Sequence, residues 1–161
     1  MDWFPWLLFL HVLAAIAAFG PIFSFPLIGA MGGREPQHGN FATRLSHAIS
    51  SRFTIPIALT MPITGAGMIV SRSMDLASPV LRWLGLAIVI YVIVITYAIF
   101  IQRRDVERIV EMTSGPPLPG PGGPPPELLA AIGRVRRGSA VMTAGIVIIV
   151  FLMVVKPALG G

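Results

Sequence analysis

His11 is the one ionisable side chain in an otherwise predominantly apolar segment that runs from Trp3 to Met31. Ionisable groups inside a membrane span are rare, and they commonly mark ligand sites or proton paths. An imidazole can bind a metal or carry a proton, and it can equally stay neutral and hydrogen-bond a nearby carbonyl or hydroxyl. The sequence leaves both interpretations of His11 open.

Other polar side chains are expected at the depth of His11. This histidine lies eight residues beyond Trp3, which is roughly 12 Å along a helix. The same count through the other apolar segments predicts one polar layer that could bind a cofactor. Its members are His11, Thr60, Thr64, Tyr91 and Lys156.

Haem b is one ligand that such a layer could hold, because it needs an axial imidazole and a cavity in a helix bundle. His38 and His47 lie outside the apolar segments, so two histidines from one chain are not expected at the iron. A lysine, a methionine or a dimer partner would complete the site. Small residues on the face of His11 would leave space for a cofactor or admit another helix. They are Ala14, Ala15 and Ala18.

Copper is the alternative cofactor, because Cu(I) prefers thioether and imidazole ligands. With His11, the predicted metal ligands are Met61, Met68 and Met153, which fall in the same half of the membrane. Methionine is also an ordinary filler of apolar cores, so this pattern has a purely structural interpretation as well. A zinc site is not expected, since the chain has no cysteine and no HExxH motif.

Carboxylate chemistry is not expected within the membrane. All seven acidic residues fall in predicted loops or termini: Asp2, Glu35, Asp75, Asp105, Glu107, Glu111 and Glu127. Nothing in their spacing brings two of them together for acid–base catalysis, and none is placed to carry protons through the membrane. The sequence therefore favours a non-enzymatic protein.

The elements that position these side chains are membrane spans. Of 161 residues, 55% are hydrophobic and only 12% are charged, whereas soluble domains carry about 25% charged residues. Four segments reach the roughly 20 apolar residues that a spanning helix needs, and they cover about 3–30, 53–71, 79–101 and 139–157. We predict a single transmembrane domain over 1–161, an all-α integral membrane four-helix bundle.

Prolines interrupt the first two spans and fill the last loop. Pro21 and Pro26 stand in span one, and Pro56 and Pro62 stand in span two. Because proline removes a backbone donor and clashes with the preceding turn, we predict that both spans are kinked. Residues 115–126 are rich in proline and glycine, which is typical of a linker.

The distribution of basic residues predicts the orientation in the membrane. Nine lie between spans one and two or between spans three and four: Arg34, Arg44, Arg52, Arg103, Arg104, Arg108, Arg134, Arg136 and Arg137. Only Arg72, Arg82 and Lys156 lie on the other side. The positive-inside rule then predicts cytoplasmic basic loops and both termini outside, as in a multi-pass protein of the bacterial inner membrane. The net charge of +5 indicates topology and attraction to membrane lipids, not nucleic-acid binding.

Three stretches resemble a known family. The stretches "LHVLAAIAAFGP", "FTIPIALTMPITG" and "FLMVVKP" are similar to a bacterial family of integral membrane proteins known as domain of unknown function DUF2269. More distantly, His11 in the first span is similar to the arrangement in copper-resistance D proteins and in membrane protoporphyrinogen oxidases that bind haem b. These resemblances imply a small helical bundle related to haem and copper proteins.

The leading functional hypothesis is a cofactor- or metal-binding bundle centred on His11 that serves transport, assembly or sensing. One alternative is a structural subunit that docks a membrane-complex partner or a second copy of the chain. Another is a small-molecule transporter built on the broken helices of spans one and two.

Overall fold

The computed structural model describes residues 2–115 and 123–157. Every regular element within these ranges is helical, so the predicted all-α fold is confirmed. The linker predicted at 115–126 falls mostly on residues 116–122, which lie outside the described ranges.

The first long helix has three parts. Helix α1 (Phe4–Phe19) passes into a 3-10 segment (Gly20–Ser24), which leads into α2 (Phe25–Arg34). A proline stands at the start of the 3-10 segment and another at the start of α2, where the missing N–H costs least. The change from α-helical to 3-10 geometry thus falls where the sequence carries Pro21. The kink itself stays a prediction.

The second long helix begins well before the predicted apolar span. After a short 3-10 turn (Pro36–His38), helix α3 (Gly39–Ile49) continues through a π-helical segment (Ser50–Thr54) into α4 (Ile55–Ala58). Helix α5 (Met61–Ser71) follows after a two-residue turn, with Pro62 in its first turn.

The third and fourth helices also extend beyond the predicted spans. A 3-10 turn (Pro79–Leu81) leads into α6 (Arg82–Tyr97), a second π-helical segment (Ala98–Gln102) and α7 (Arg103–Thr113). Helix α8 runs unbroken over Pro126–Val155. Proline favours the first position of a helix, which accounts for the start of α8 at the end of the proline-rich stretch.

Within the described residues, four continuous helices are long and apolar enough to cross a membrane. They cover Phe4–Arg34, Gly39–Ser71, Pro79–Thr113 and Pro126–Val155, and the most apolar 18-residue stretch of each has a mean hydropathy of 2.1, 1.7, 2.8 and 2.6, respectively. Large apolar side chains such as Ile16, Val92 and Phe151 are more than half exposed, as residues that face lipid must be. The protein is a multi-pass integral membrane bundle.

Two apolar clusters hold the bundle together. One joins Ala18 and Phe19 of α1 to Ala58, Met61 and Ile146 from the second and fourth long helices. The other joins Ala87 of α6 to Ile149 and Leu152 of α8. Helix α1 packs along α5, α6 packs along α8, and α3 packs against α2 and α7. The basic loops thus share one end of the bundle, which we call the basic end.

Candidate functional site

His11 hydrogen-bonds to Thr64. The imidazole Nδ1 lies 2.8 Å from the threonine Oγ1, and the contact joins α1 to α5 in a half-buried position. A neutral imidazole in lipid without a partner would cost a few kcal/mol. The contact removes that cost and ties the first span to the second.

Which imidazole nitrogen carries the proton depends on where the Thr64 hydroxyl donates its own. Its Oγ1 lies 3.1 Å from the carbonyl oxygen of Met61 and can donate to it. A hydroxyl has one proton, so when that proton goes to the carbonyl, Nδ1 of His11 must be the donor to Oγ1. The Nε2 atom then keeps a free lone pair, which is the form that binds metals.

Gly65 makes room for the imidazole on α5. A Cβ atom built on this glycine would lie 3.6 Å from Cε1 and 3.9 Å from Nδ1 of His11, which is ordinary van der Waals contact. Two residues further, a Cβ on Gly67 would approach Leu7 more tightly, at 3.2 Å. The two glycines therefore line the face of α5 that receives α1.

Tyr91 closes a gap in the backbone hydrogen bonding of the second span. Proline has no N–H, so Pro62 cannot donate to the carbonyl of Ala58 four residues earlier. The Tyr91 hydroxyl donates to that carbonyl at 2.7 Å. The carbonyl that Pro62 leaves free in the second span is thus bonded from α6.

Two of the predicted layer residues are not brought to the imidazole. The Thr60 hydroxyl donates to the carbonyl of Ile57 on its own helix, at 2.7 Å. The Lys156 side chain is exposed, and its Nζ lies 5.7 Å from the ring centre of Trp83. Their predicted role in cofactor binding stays a prediction.

The three methionines occupy different surroundings. Met61 is 6% exposed and belongs to the apolar cluster around Ala18. Met68 is half-buried on α5, four residues after Thr64. Met153 packs with the separate cluster around Ala87 and Ile149. The spacing therefore places Met61 and Met68 on the His11 face of α5, whereas Met153 belongs to another part of the bundle.

The alanines that follow His11 on its face of α1 pack against other helices. Ala18 is fully buried, and Ala14 and Ala15 pack against the same cluster, which includes Met61 and Ile146. Of the two expectations for these alanines, the structure shows the second, in which they admit other helices. A porphyrin would have to displace these helices, so the described residues do not fit haem inside one chain.

Multi-ligand sites built from acidic residues, histidines or cysteines are not found among the described residues, since no three such side chains come together. The other side chains near His11 on α5 that can bind a soft metal are the thioethers of Met61 and Met68.

A second polar contact, between the π-helical segment after α6 and helix α8, was not predicted. The Gln102 amide donates to the carbonyl of Val135 at 3.0 Å and to the Ser139 hydroxyl at 2.9 Å. A Cβ on Gly138 would collide with Gln102 Oε1 and lie 2.5 Å from the Tyr97 hydroxyl. The available signal was Gln102 itself, an uncharged polar residue in the turn that follows an unbroken apolar run.

Ion pairs form within and between the helices at the basic end. Arg134 of α8 lies 3.3 Å from Asp105 of α7, and Arg103 lies 2.8 Å from Glu107 within α7. The Glu107 carboxylate is also 3.8 Å from His47 of α3. These exposed pairs contribute little stability individually, but they show which arginines have acidic partners.

Residues 5–157 match the family described as "Predicted integral membrane protein (DUF2269)". Neither a curated protein nor a solved structure matches the chain, so nothing here connects it with copper-resistance D proteins or protoporphyrinogen oxidases. The matched region covers all four spanning helices. The chain therefore belongs to the DUF2269 family of integral membrane proteins.

Proposed function

We propose that the protein is a non-enzymatic bundle of the bacterial inner membrane that binds Cu(I) at His11 and serves copper transport, assembly or sensing. The observation that carries the proposal is the hydrogen bond between His11 Nδ1 and Thr64. Metal-binding histidines almost always donate from the nitrogen that does not bind the metal. The Thr64 hydroxyl is suited to accept the hydrogen bond from Nδ1 of His11. The imidazole Nε2 then points away from Thr64 and can bind the metal.

Two thioethers flank the imidazole along α5. Met61 precedes Thr64 by three residues, and Met68 follows it by four. Residues at these spacings share one helix face, and the unbranched methionine side chain adapts to irregular sites. His11, Met61 and Met68 would supply one nitrogen and two sulfur ligands, a soft set that suits Cu(I) better than harder divalent ions.

Copper is preferred over haem because of the packing around His11. The alanine face that follows the imidazole is covered by Met61 and Ile146, which a macrocycle would have to displace. A single ion needs far less room. The two proposals differ in one absorbance spectrum, since bound haem gives a Soret band and bound Cu(I) does not.

The proposal is tested by titrating the full chain, purified in detergent, with Cu(I) in the presence of a coloured competing chelator. We expect one tightly bound ion per chain in the parent protein. His11→Ala should abolish tight binding, and Met61→Leu or Met68→Leu should weaken it. Met153→Leu is the matched control and should bind as the parent does.

Thr64→Val separates a positioning role from a purely structural one. Loss of the group that orients a metal-binding histidine commonly weakens affinity by about 10–100-fold, so this variant should fold and bind Cu(I) less tightly. Equal Cu(I) affinity in the parent, His11→Ala and Thr64→Val would contradict the proposal.

A structural function is the second candidate, and a specific observation favours it. The His11 contact satisfies Nδ1 within the protein, and the Tyr91 contact satisfies the carbonyl that Pro62 leaves free. In a structural subunit, these bonds would only fix the helices that dock a partner protein or a second copy. Destabilisation by His11→Ala without any copper bound to the parent would select this candidate.

A further inference from the structure

An open groove lies between the third and fourth long helices at the basic end. Its walls include Tyr97 and Ile101 on one side and Arg137, Gly138 and Val141 of α8 on the other. Asp105 and Arg134 also line it and form an ion pair across the two helices.

The groove changes from charged to apolar along its length. On α8, the positions from Arg134 through Arg137 to Val141 follow one helical stripe, which spans about 10 Å along the axis. Ile101 and Val141 are 49% and 70% exposed, so an apolar chain could lie against both. The charged end lies towards the basic end of the bundle, and the apolar end lies further along the hydrophobic part of α8.

Two hydrogen-bond donors in the groove have no acidic partner. Arg137 donates only to the carbonyl of Gly133 on its own helix, at 3.3 Å, and its charge is not paired with any described carboxylate. The Tyr97 hydroxyl makes no hydrogen bond to any described residue. Arg134, by contrast, is already neutralised by Asp105.

A buried acceptor lies beside these donors. Gln102 is 8% exposed, and its Oε1 has no hydrogen-bond partner among the described residues. Both this oxygen and the Tyr97 hydroxyl converge on the place where Gly138 lacks a side chain. Gln102 does not itself line the groove, so the Tyr97 hydroxyl is the polar group of this cluster that a ligand in the groove can reach.

We propose that this groove binds one anionic phospholipid of the surrounding bilayer, with its phosphate at Arg137 and Tyr97 and one acyl chain along Ile101 and Val141. A guanidinium donates to two phosphate oxygens at once, and basic pockets between spanning helices suit lipid headgroups. Phosphatidylglycerol fits best, because its net negative charge complements the unpaired guanidinium of Arg137, whereas phosphatidylcholine carries no net charge.

The apolar half of the groove selects a lipid over a soluble anion. Inorganic phosphate could contact Arg137 and Tyr97, but it would leave Ile101 and Val141 uncovered. A phospholipid covers both ends of the groove. The proposal is independent of copper binding, since none of these residues contacts His11.

The test is native mass spectrometry of the full chain in detergent, titrated with phosphatidylglycerol or phosphatidylcholine. We expect one phosphatidylglycerol to remain bound under conditions that remove phosphatidylcholine, and excess inorganic phosphate should not displace it. Arg137→Gln should weaken retention by roughly tenfold or more, beyond the about fivefold that a single surface arginine contributes to attraction by anionic lipid.

Arg136→Gln is the matched control, because Arg136 is an exposed neighbour on α8 that does not line the groove. It removes the same charge and should reduce retention by about fivefold or less. Tyr97→Phe removes only a hydroxyl, and it should weaken phosphatidylglycerol binding without altering the helical content. Equal losses for Arg136→Gln and Arg137→Gln, unchanged binding in Tyr97→Phe, displacement by phosphate, or equal retention of both lipids would each overturn the proposal.

Discussion

Two glycines, Gly65 on α5 and Gly138 on α8, each face a polar side chain from a neighbouring helix, but they do so under different constraints. A methyl group on Gly65 would sit in ordinary contact with His11, at 3.6 Å. On Gly138 the same methyl would collide with Gln102 and Tyr97. The first contact has space for a small addition, and the second has none.

The polar atoms at the two contacts also differ. Beside Gly65, Nδ1 of His11 is bonded to Thr64. Beside Gly138, Gln102 Oε1 is buried without a partner among the described residues. The comparison teaches that close approach of helices and saturation of hydrogen bonds are separate properties. The tighter contact is the one that retains unused hydrogen-bonding capacity.

The largest expected effect is that of Gly138→Ala. Overpacking of a tight contact costs about 1–3 kcal/mol, and here both Gln102 and Tyr97 would have to move. We expect a loss near the upper end of that range, measured as unfolding in mixed detergent micelles followed by circular dichroism.

Gly133→Ala is the control for that substitution on the same helix. A Cβ at Gly133 would meet only the flexible end of Arg137, at 3.9 Å. Since alanine is the better helix former by about 1 kcal/mol, this variant should be as stable as the parent or more stable. Equal destabilisation by both variants would refute the contrast between the two glycines.

Gly65→Leu and Gly65→Ala test the contrast between Gly65 and Gly138 at the Gly65 contact. Leucine would displace the His11 imidazole and separate α1 from α5, and we expect a loss of about 2 kcal/mol. Alanine fits the contact distance and should leave the unfolding midpoint nearly unchanged. If Gly65→Leu proves as stable as Gly65→Ala, α1 does not pack here.

Tyr91→Phe tests the repair of the broken second span. Loss of the hydroxyl leaves the buried carbonyl of Ala58 without its donor, and this costs about 1–2 kcal/mol. In a Pro62→Ala background the restored N–H at position 62 can bond that carbonyl, so Tyr91→Phe should cost much less. A double-mutant cycle without coupling between Tyr91 and Pro62 would contradict this account.

Thr64→Val should have the smallest effect on stability. Hydrogen bonds between membrane helices contribute about 0.6 kcal/mol on average, and we expect a loss of that order for the His11 contact. Thr60→Val removes a hydroxyl that bonds only its own helix. The difference between the two variants in the same unfolding assay isolates the bond between helices.

Much of the fold follows from the sequence, because the hydrocarbon core sets the length and polarity of each span. The known preferences of proline predict an interruption of the first helix near Gly20-Pro21 and the start of a helix at Pro126. The structure has a 3-10 segment at the first position and the start of α8 at the second. Near Gly39 and Thr113, the helices continue past the apolar runs as amphipathic segments. The apolar pattern defines the span and not the helix.

The contact between His11 and Thr64 was within reach of the sequence, because depth can be counted along helices of known rise. The contact of Gln102 with Ser139 was not, since it depends on the rotation of α6 against α8. Gln102 lies in the π-helical segment Ala98–Gln102, whose geometry changes the direction of its side chain. No residue pattern in the sequence predicts this segment. Depth is a one-dimensional property, but the direction in which a side chain faces depends on packing.

The central claim, that Thr64 holds His11 ready to bind Cu(I) between two thioethers, is tested most directly by X-ray absorption at the copper edge of the Cu(I)-loaded full chain. The account predicts one imidazole nitrogen and two sulfur scatterers, with the nitrogen lost in His11→Ala and one sulfur lost in either Met61→Leu or Met68→Leu. A copper environment without sulfur, or one unchanged in His11→Ala, would contradict it.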